Sequence, residues 1–189
     1  MAKKHVKKQV KKGAKKKVRR MPSISKTSPL VSSTAAALFV GIDLGTSRAS
    51  IAASNGVREV VPTYVGYPKD NISEELLGVE PLFGELALKH RLSVELIRPL
   101  AHGVIRDGKG KGANKNLLAA QQLVRHLLQR TGPNRNERVY GVIGAPARAS
   151  IASKRILIDA ARGILVAVMI VSEPFAVAWT WYSRPGFGR

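Results

Sequence analysis

At 189 residues the chain is long enough for one domain with a real core, and its 44% hydrophobic content is ordinary for a folded body. It has no cysteine, which excludes disulfides and thiolate metal sites and suits a reducing compartment. The net charge is +20, and residues 1–20 hold 11 of the 32 Lys and Arg with no acid among them.

Lysine pairs recur every four residues from Lys3 to Arg20, with Val6, Val10 and Val18 in the gaps. Self-repulsion and too few apolar groups predict a disordered basic tail in isolation. Two readings stand side by side. One is a solvated tail; the other is a non-specific polyanion binder over residues 3–20, taking nucleic acid, an anionic membrane face or an acidic protein. No aromatic is interleaved for base stacking. Residues 21–37, rich in Ser, Thr and Ala, read as a linker. The basic start only faintly mimics a signal or transit peptide.

The organising stretch is Leu38 to Ala52. An apolar run ends at Asp43, a Gly45-Thr46-Ser47 turn follows, and a second run of small and apolar residues leaves it. This predicts strands 38–43 and 48–54 about a tight turn. Gly41 and Gly45 remove side chains where a ligand can approach the backbone, and Gly45 can take positive φ; turn amides can cradle phosphate oxygens, and Thr46 and Ser47 add hydroxyls. Asp43 can hold Mg²⁺ directly or through water. A plain β-hairpin, its aspartate satisfied by the turn's own amides, explains the same residues.

Asn55-Gly56 predicts a hairpin into strand 57–65, with Pro62 marking an edge or strand end. Residues 66–100 are mixed, with a short helix near 84–92. His102 to Gly110 nearly spells a Walker phosphate loop, but Gly110 stands where Ser or Thr should ligate Mg²⁺, so a flexible basic loop is expected. Residues 114–130 form the clearest helix, with Leu117, Ala120, Val124, Leu127 and Leu128 on one stripe. Strand 138–145 and helix 149–162 follow, with Asp159 and Arg162 as a surface pair. Ile164 to Val171 predicts a buried strand, and a helix begins at Pro174. Glu173 and Pro174 interrupt the apolar stretch that would otherwise span a bilayer, so no transmembrane segment is expected.

The string Gly41-Ile42-Asp43-Leu44-Gly45-Thr46-Ser47 resembles the first phosphate loop of the actin and heat-shock-chaperone ATPase superfamily. Val65 to Asp70, Val142 to Ser150 and Val171 to Phe175 resemble, in the same order, stretches of the bacterial actins whose filaments line up magnetosomes. The likeness implies an α/β fold: a truncated actin-like (ribonuclease H-like) first subdomain, a mixed sheet with flanking helices, over residues 38–178. Residues 1–37 form the tail and linker, and residues 179–189 do not resemble the family's continuation. The likeness also implies ATP and Mg²⁺ as ligands. Asp43, Gly45, Thr46 and Ser47 would bind the nucleotide, Asp43 would take the metal, and Glu173 would orient the water that attacks the γ-phosphate. A helix-start carboxylate favoured by the macrodipole is the plainer reading of Glu173.

The family's second phosphate loop and adenosine-binding segment are not found in the sequence, so weak nucleotide binding and slow hydrolysis are expected. Related sequences tend to carry an Asp where His102 stands, which makes His102 an exposed loop histidine rather than a base. The implied partners are copies of itself, full-length filament subunits and an acidic magnetosome-associated protein. The implied place is the cytoplasm, at the magnetosome membrane or chain. The alternative is a non-catalytic adaptor that docks on full-length filaments and binds acidic proteins, membrane or nucleic acid through its tail.

Overall fold

A computed structural model describes residues 36–106 and 111–182, all within one compact unit spanning residues 35–189. The tail, most of the linker and the last seven residues lie outside the described residues, so the expectations placed on them lie there too.

Strand β1 (Ala37–Leu44) is central, and its sequence shows why. Leu38, Val40, Ile42 and Leu44 are buried, while Ala37, Phe39, Gly41 and Asp43 face outward, a strict period of two. Its antiparallel neighbour β2 (Arg48–Ala53) pairs with β3 (Arg58–Pro62) across the Asn55-Gly56 turn. The expected strand 57–65 is in fact two. After β3 the chain breaks at Thr63-Tyr64 and enters β4 (Val65–Pro68) of another sheet. Pro62 ends an edge strand, as its missing N–H requires.

β4 is the middle strand of a small antiparallel sheet completed by β5 (Leu82–Phe83) and β6 (Val94–Ile97). Helix α1 (Asn71–Leu77), absent from the sequence expectations, is started by Asp70, whose carboxylate accepts from the Ser73 N–H. Those hydrogen bonds hold the Asp70 carboxyl below its usual range, and nearby Lys69 adds to the effect. Helix α2 (Gly84–Lys89) matches the expected short helix, three residues shorter at its end. The flexible loop expected after Pro99 instead contains a hairpin of β7 (Leu100–Ala101) and β8 (Val104–Ile105). Residues 107–110 of the near-Walker string lie outside the described residues.

Helix α3 (Lys111–Arg130) buries Ala119, Ala120, Leu123, Val124, Leu127 and Leu128, the expected stripe widened by two. Leu117, assigned to that stripe, is only half-buried. The small sheet is fastened to α3 by three contacts. The Tyr67 hydroxyl donates to Gln122 Oε1, Phe83 stacks on His126 at 4.3 Å, and Lys115 Nζ lies 2.8 Å from Glu95. Burial, helped by Glu95, pushes the Tyr67 hydroxyl up to about 12. Burial and the Arg130 charge pull His126 down.

Strand β9 (Arg138–Ala145) then pairs parallel with β1, and helix α4 (Ile151–Ala161), capped by the Ser150 hydroxyl, crosses to β10 (Ala167–Ser172). Asp159 and Arg162 form the expected surface pair at 2.9 Å. β10 corrects the buried strand expected at 164–171. It starts three residues later, forms the sheet's edge, and leaves Ala167 and Met169 exposed. Helix α5 (Glu173–Tyr182) begins at Glu173, one residue before the expected proline.

The five-stranded sheet has the order β10-β9-β1-β2-β3. Helices α3 and α4 cover one face and form the core with Leu38, Val40, Ile42, Ile143 and Leu157. On the other face Phe39 stacks on Tyr140 at 5.6 Å beside exposed Met169, along a shallow apolar groove of about 550 Å³. That face also carries Asp43.

Candidate functional site

The site starts from the alternation in β1. Because Ile42 and Leu44 point into the core, Asp43 must point to the open face, at the strand's end. The chain then turns through residues 45–47, and every carbonyl of that turn is tied down. Gly45 O accepts from the buried Thr63 hydroxyl at 2.8 Å, and Ser47 O from the Thr63 N–H at 3.0 Å. Thr46 O accepts from Arg98 Nε at 3.0 Å. Among the described residues, the Thr46 and Ser47 N–H groups make no hydrogen bond. A turn with engaged carbonyls and free amides is suited to an anion.

Gly45 does not use the positive φ expected of it. Its reason for being glycine is crowding. A Cβ there would stand 2.5 Å from the Arg48 carbonyl oxygen, which is backbone and has no room to yield.

Two further segments close on the turn. The β7–β8 hairpin brings His102 at φ 53 and Gly103, whose N–H donates to Thr46 Oγ1 at 2.9 Å. The C-terminal ends of β9 and β10 bring Gly144, Pro146 and Glu173. The Glu173 side chain runs past Gly144, where a Cβ would lie 3.6 Å from its Cγ, and reaches toward Gly103, where a Cβ would lie 3.8 Å from its Oε1.

Asp43, Gly45, Thr46 and Glu173 thus line one open cleft of about 1080 Å³, with Gly144, His102 and Gly103. Ser47 does not line it. Its hydroxyl accepts from Arg98 Nη2 at 3.2 Å, so it helps to hold the turn. Among the described residues no group of three or more His, Asp or Glu side chains is placed to hold a metal. A cation here would rest on one carboxylate, water and its ligand's own oxygens, which is the habit of Mg²⁺ with phosphates.

Sequence reasoning missed Thr63 and Arg98, which shape the turn from the β3–β4 connection and the end of β6. Arg98 also lies over the Tyr64 ring at 5.8 Å. No spacing signal marks either residue, since both act through contacts distant in sequence. Thr63→Val keeps the volume but strands a carbonyl, and it should cost about 1–2 kcal/mol. The check is a lower urea midpoint at unchanged m-value.

A strand-turn-strand with free turn amides, a second wall from parallel strand ends and helices on the core face define an actin-type domain. No family model matches the chain. The actin-like protein MamK of Paramagnetospirillum magneticum is 36% identical over 142 residues, covering 75% of this chain and 40% of that protein. A non-polymerising MamK mutant bound to AMPPNP superposes with a TM-score of 0.68 at 35% identity, over 76% of this chain and 43% of its own. The MamK double helical filament gives 0.69 at 35% identity, over 75% and 42%. Over three quarters of its length the chain is similar to the MamK actin-like proteins, and it spans about two fifths of the length of the curated relative it matches. Among the described residues no helix is long and apolar enough to cross a membrane.

Proposed function

We propose that this chain binds ATP with Mg²⁺ on one wall of an actin-type nucleotide cleft and associates with actin-like filaments that organise magnetosomes. One observation carries the reading. Asp43, closing the first strand, and Glu173, opening the last described helix, line the same cleft although 130 residues separate them. The solved relative bound to AMPPNP and the relative solved as a filament support the ligand class and the assembly.

In this reading the turn amides and the Thr46 hydroxyl hold phosphate oxygens. Asp43 would hold the water shell of a Mg²⁺ ion, which when bound would supply neutralisation of the phosphate charge. Glu173 accepts a hydrogen bond from a water and aims it at the terminal phosphate. The Lys-rich residues 3–20 add salt-sensitive attraction to polyanions, including an acidic magnetosome-associated protein.

The experiment is a titration with a fluorescent ATP analogue, with and without Mg²⁺, joined to a phosphate-release assay. Asp43→Ala should abolish the Mg²⁺ dependence of binding. Glu173→Gln should leave affinity within about twofold and cut phosphate release on the order of 100-fold. Binding and release unchanged in both variants would overturn the assignment.

A further inference from the structure

The small sheet carries a surface that the nucleotide cleft does not use. Ile72 and Leu76 of α1 and Val79 after it stand 79%, 72% and 74% exposed. Ile72 and Leu76, four residues apart, share one helix face. Single exposed apolar residues are ordinary, but here three fall within eight positions. Glu74, Glu75 and Glu80 alternate with them.

From Asp70 to Leu88 the sequence holds five carboxylates and neither Lys nor Arg, in a chain of net charge +20. Four of the other described carboxylates are engaged, and Asp43 and Glu173 line the cleft. Glu59 pairs with Arg130, Glu95 with Lys115 and Asp159 with Arg162, while Glu137 accepts from Asn134. Among the described residues no ion pair reaches Glu74, Glu75, Glu80 or Glu85.

A fitting partner is strongly basic, lacks acids and carries sparse aliphatic side chains. The chain itself contains such a segment. Lys3 to Arg20 has eleven cations, no carboxylate, and Val6, Val10 and Val18. We propose that the apolar, carboxylate-rimmed face of α1 docks the Lys-rich segment 3–20 of a second copy. The charges steer the encounter and fix the partner, and the valines meet Ile72, Leu76 and Val79. Donor and acceptor are different surfaces of one chain, so the pairing is heterologous and passes from copy to copy.

The test uses the full chain and a labelled synthetic peptide of residues 2–20, followed by fluorescence anisotropy at about 50 mM salt. The peptide should bind, and about 500 mM salt should release it. Glu74→Gln/Glu75→Gln/Glu80→Gln should weaken it about tenfold, and Ile72→Ser/Leu76→Ser about threefold with the salt response kept. All five side chains are exposed or charged at the surface, and a circular-dichroism melt confirms that each variant is folded. In sedimentation velocity the parent should grow heavier with concentration at low salt, without nucleotide, and the triple Gln variant should not. Equal peptide affinity in the triple variant overturns the proposal. A parent that stays monomeric at every concentration also overturns it, since the segment is then solvated or folded onto its own chain. Because nucleotide is omitted, failure here leaves the ATP reading standing, and failure of the ATP reading leaves this result intact.

Discussion

Leu127→Ala should lower the stability of the chain by about 3–5 kcal/mol, enough to unfold much of the population. Leu127 is fully buried on α3, within the cluster that joins that helix to β1 and α4. Helices α3 and α4 form the layer over one face of the five-stranded sheet, and Leu127 lies within it. The surroundings are interlocked Leu123, Val124, Ile143 and Leu157, all fully buried, which collapse poorly into a void. Leu118→Ala is the matched control. That side chain is half exposed on the same helix, and its truncation should fall within about 0.5 kcal/mol. Urea unfolding followed by circular dichroism reads both. A Leu127→Ala midpoint like that of the control would mean that α3 does not carry the core.

Gly45→Ala should cost at least about tenfold in nucleotide affinity, the second-largest effect expected. Its added methyl would stand 2.5 Å from the Arg48 carbonyl, so the turn itself must move. Moving it breaks the Thr63-to-Gly45 and Gly103-to-Thr46 hydrogen bonds, which hold the turn against the β7–β8 hairpin. The loss should appear in titration with an ATP analogue, together with a fall in stability of about 2 kcal/mol. Parent-like affinity would show that this turn is not where the phosphates sit.

Much of the large sheet was legible because its signal is local. β1 alternates without fault, β9 spans residues 138–145 as its pattern reads, and the α3 stripe is continuous. The small sheet was not legible. Its strands are two to four residues long, too short for periodicity, and α1 exposes Ile72 and Leu76, which breaks the amphipathic pattern that marks a helix. β10 misled because Ile164 to Val171 reads as a uniform apolar run, and composition does not distinguish a buried strand from an edge strand with one bare face. At the site, Asp43 and Glu173 were visible as strand-end and helix-start carboxylates. Arg98 and Thr63 were not, since each acts on a turn formed far away in sequence. Gly45 was visible as a place where the backbone must be approached closely, but the group that approaches it is the Arg48 carbonyl, and the positive φ is not used.

The sheet's two rims are chemically unequal. β3 shields its outer backbone with Arg58, Glu59 and a terminal proline, whereas β10 (Ala-Val-Met-Ile-Val-Ser) offers neither charge nor proline along its length. Strand addition is therefore directional: the ladder is sealed at the β3 rim and receptive at the β10 rim. A foreign extended segment, or the same strand from a partly unfolded neighbour, would be templated there first.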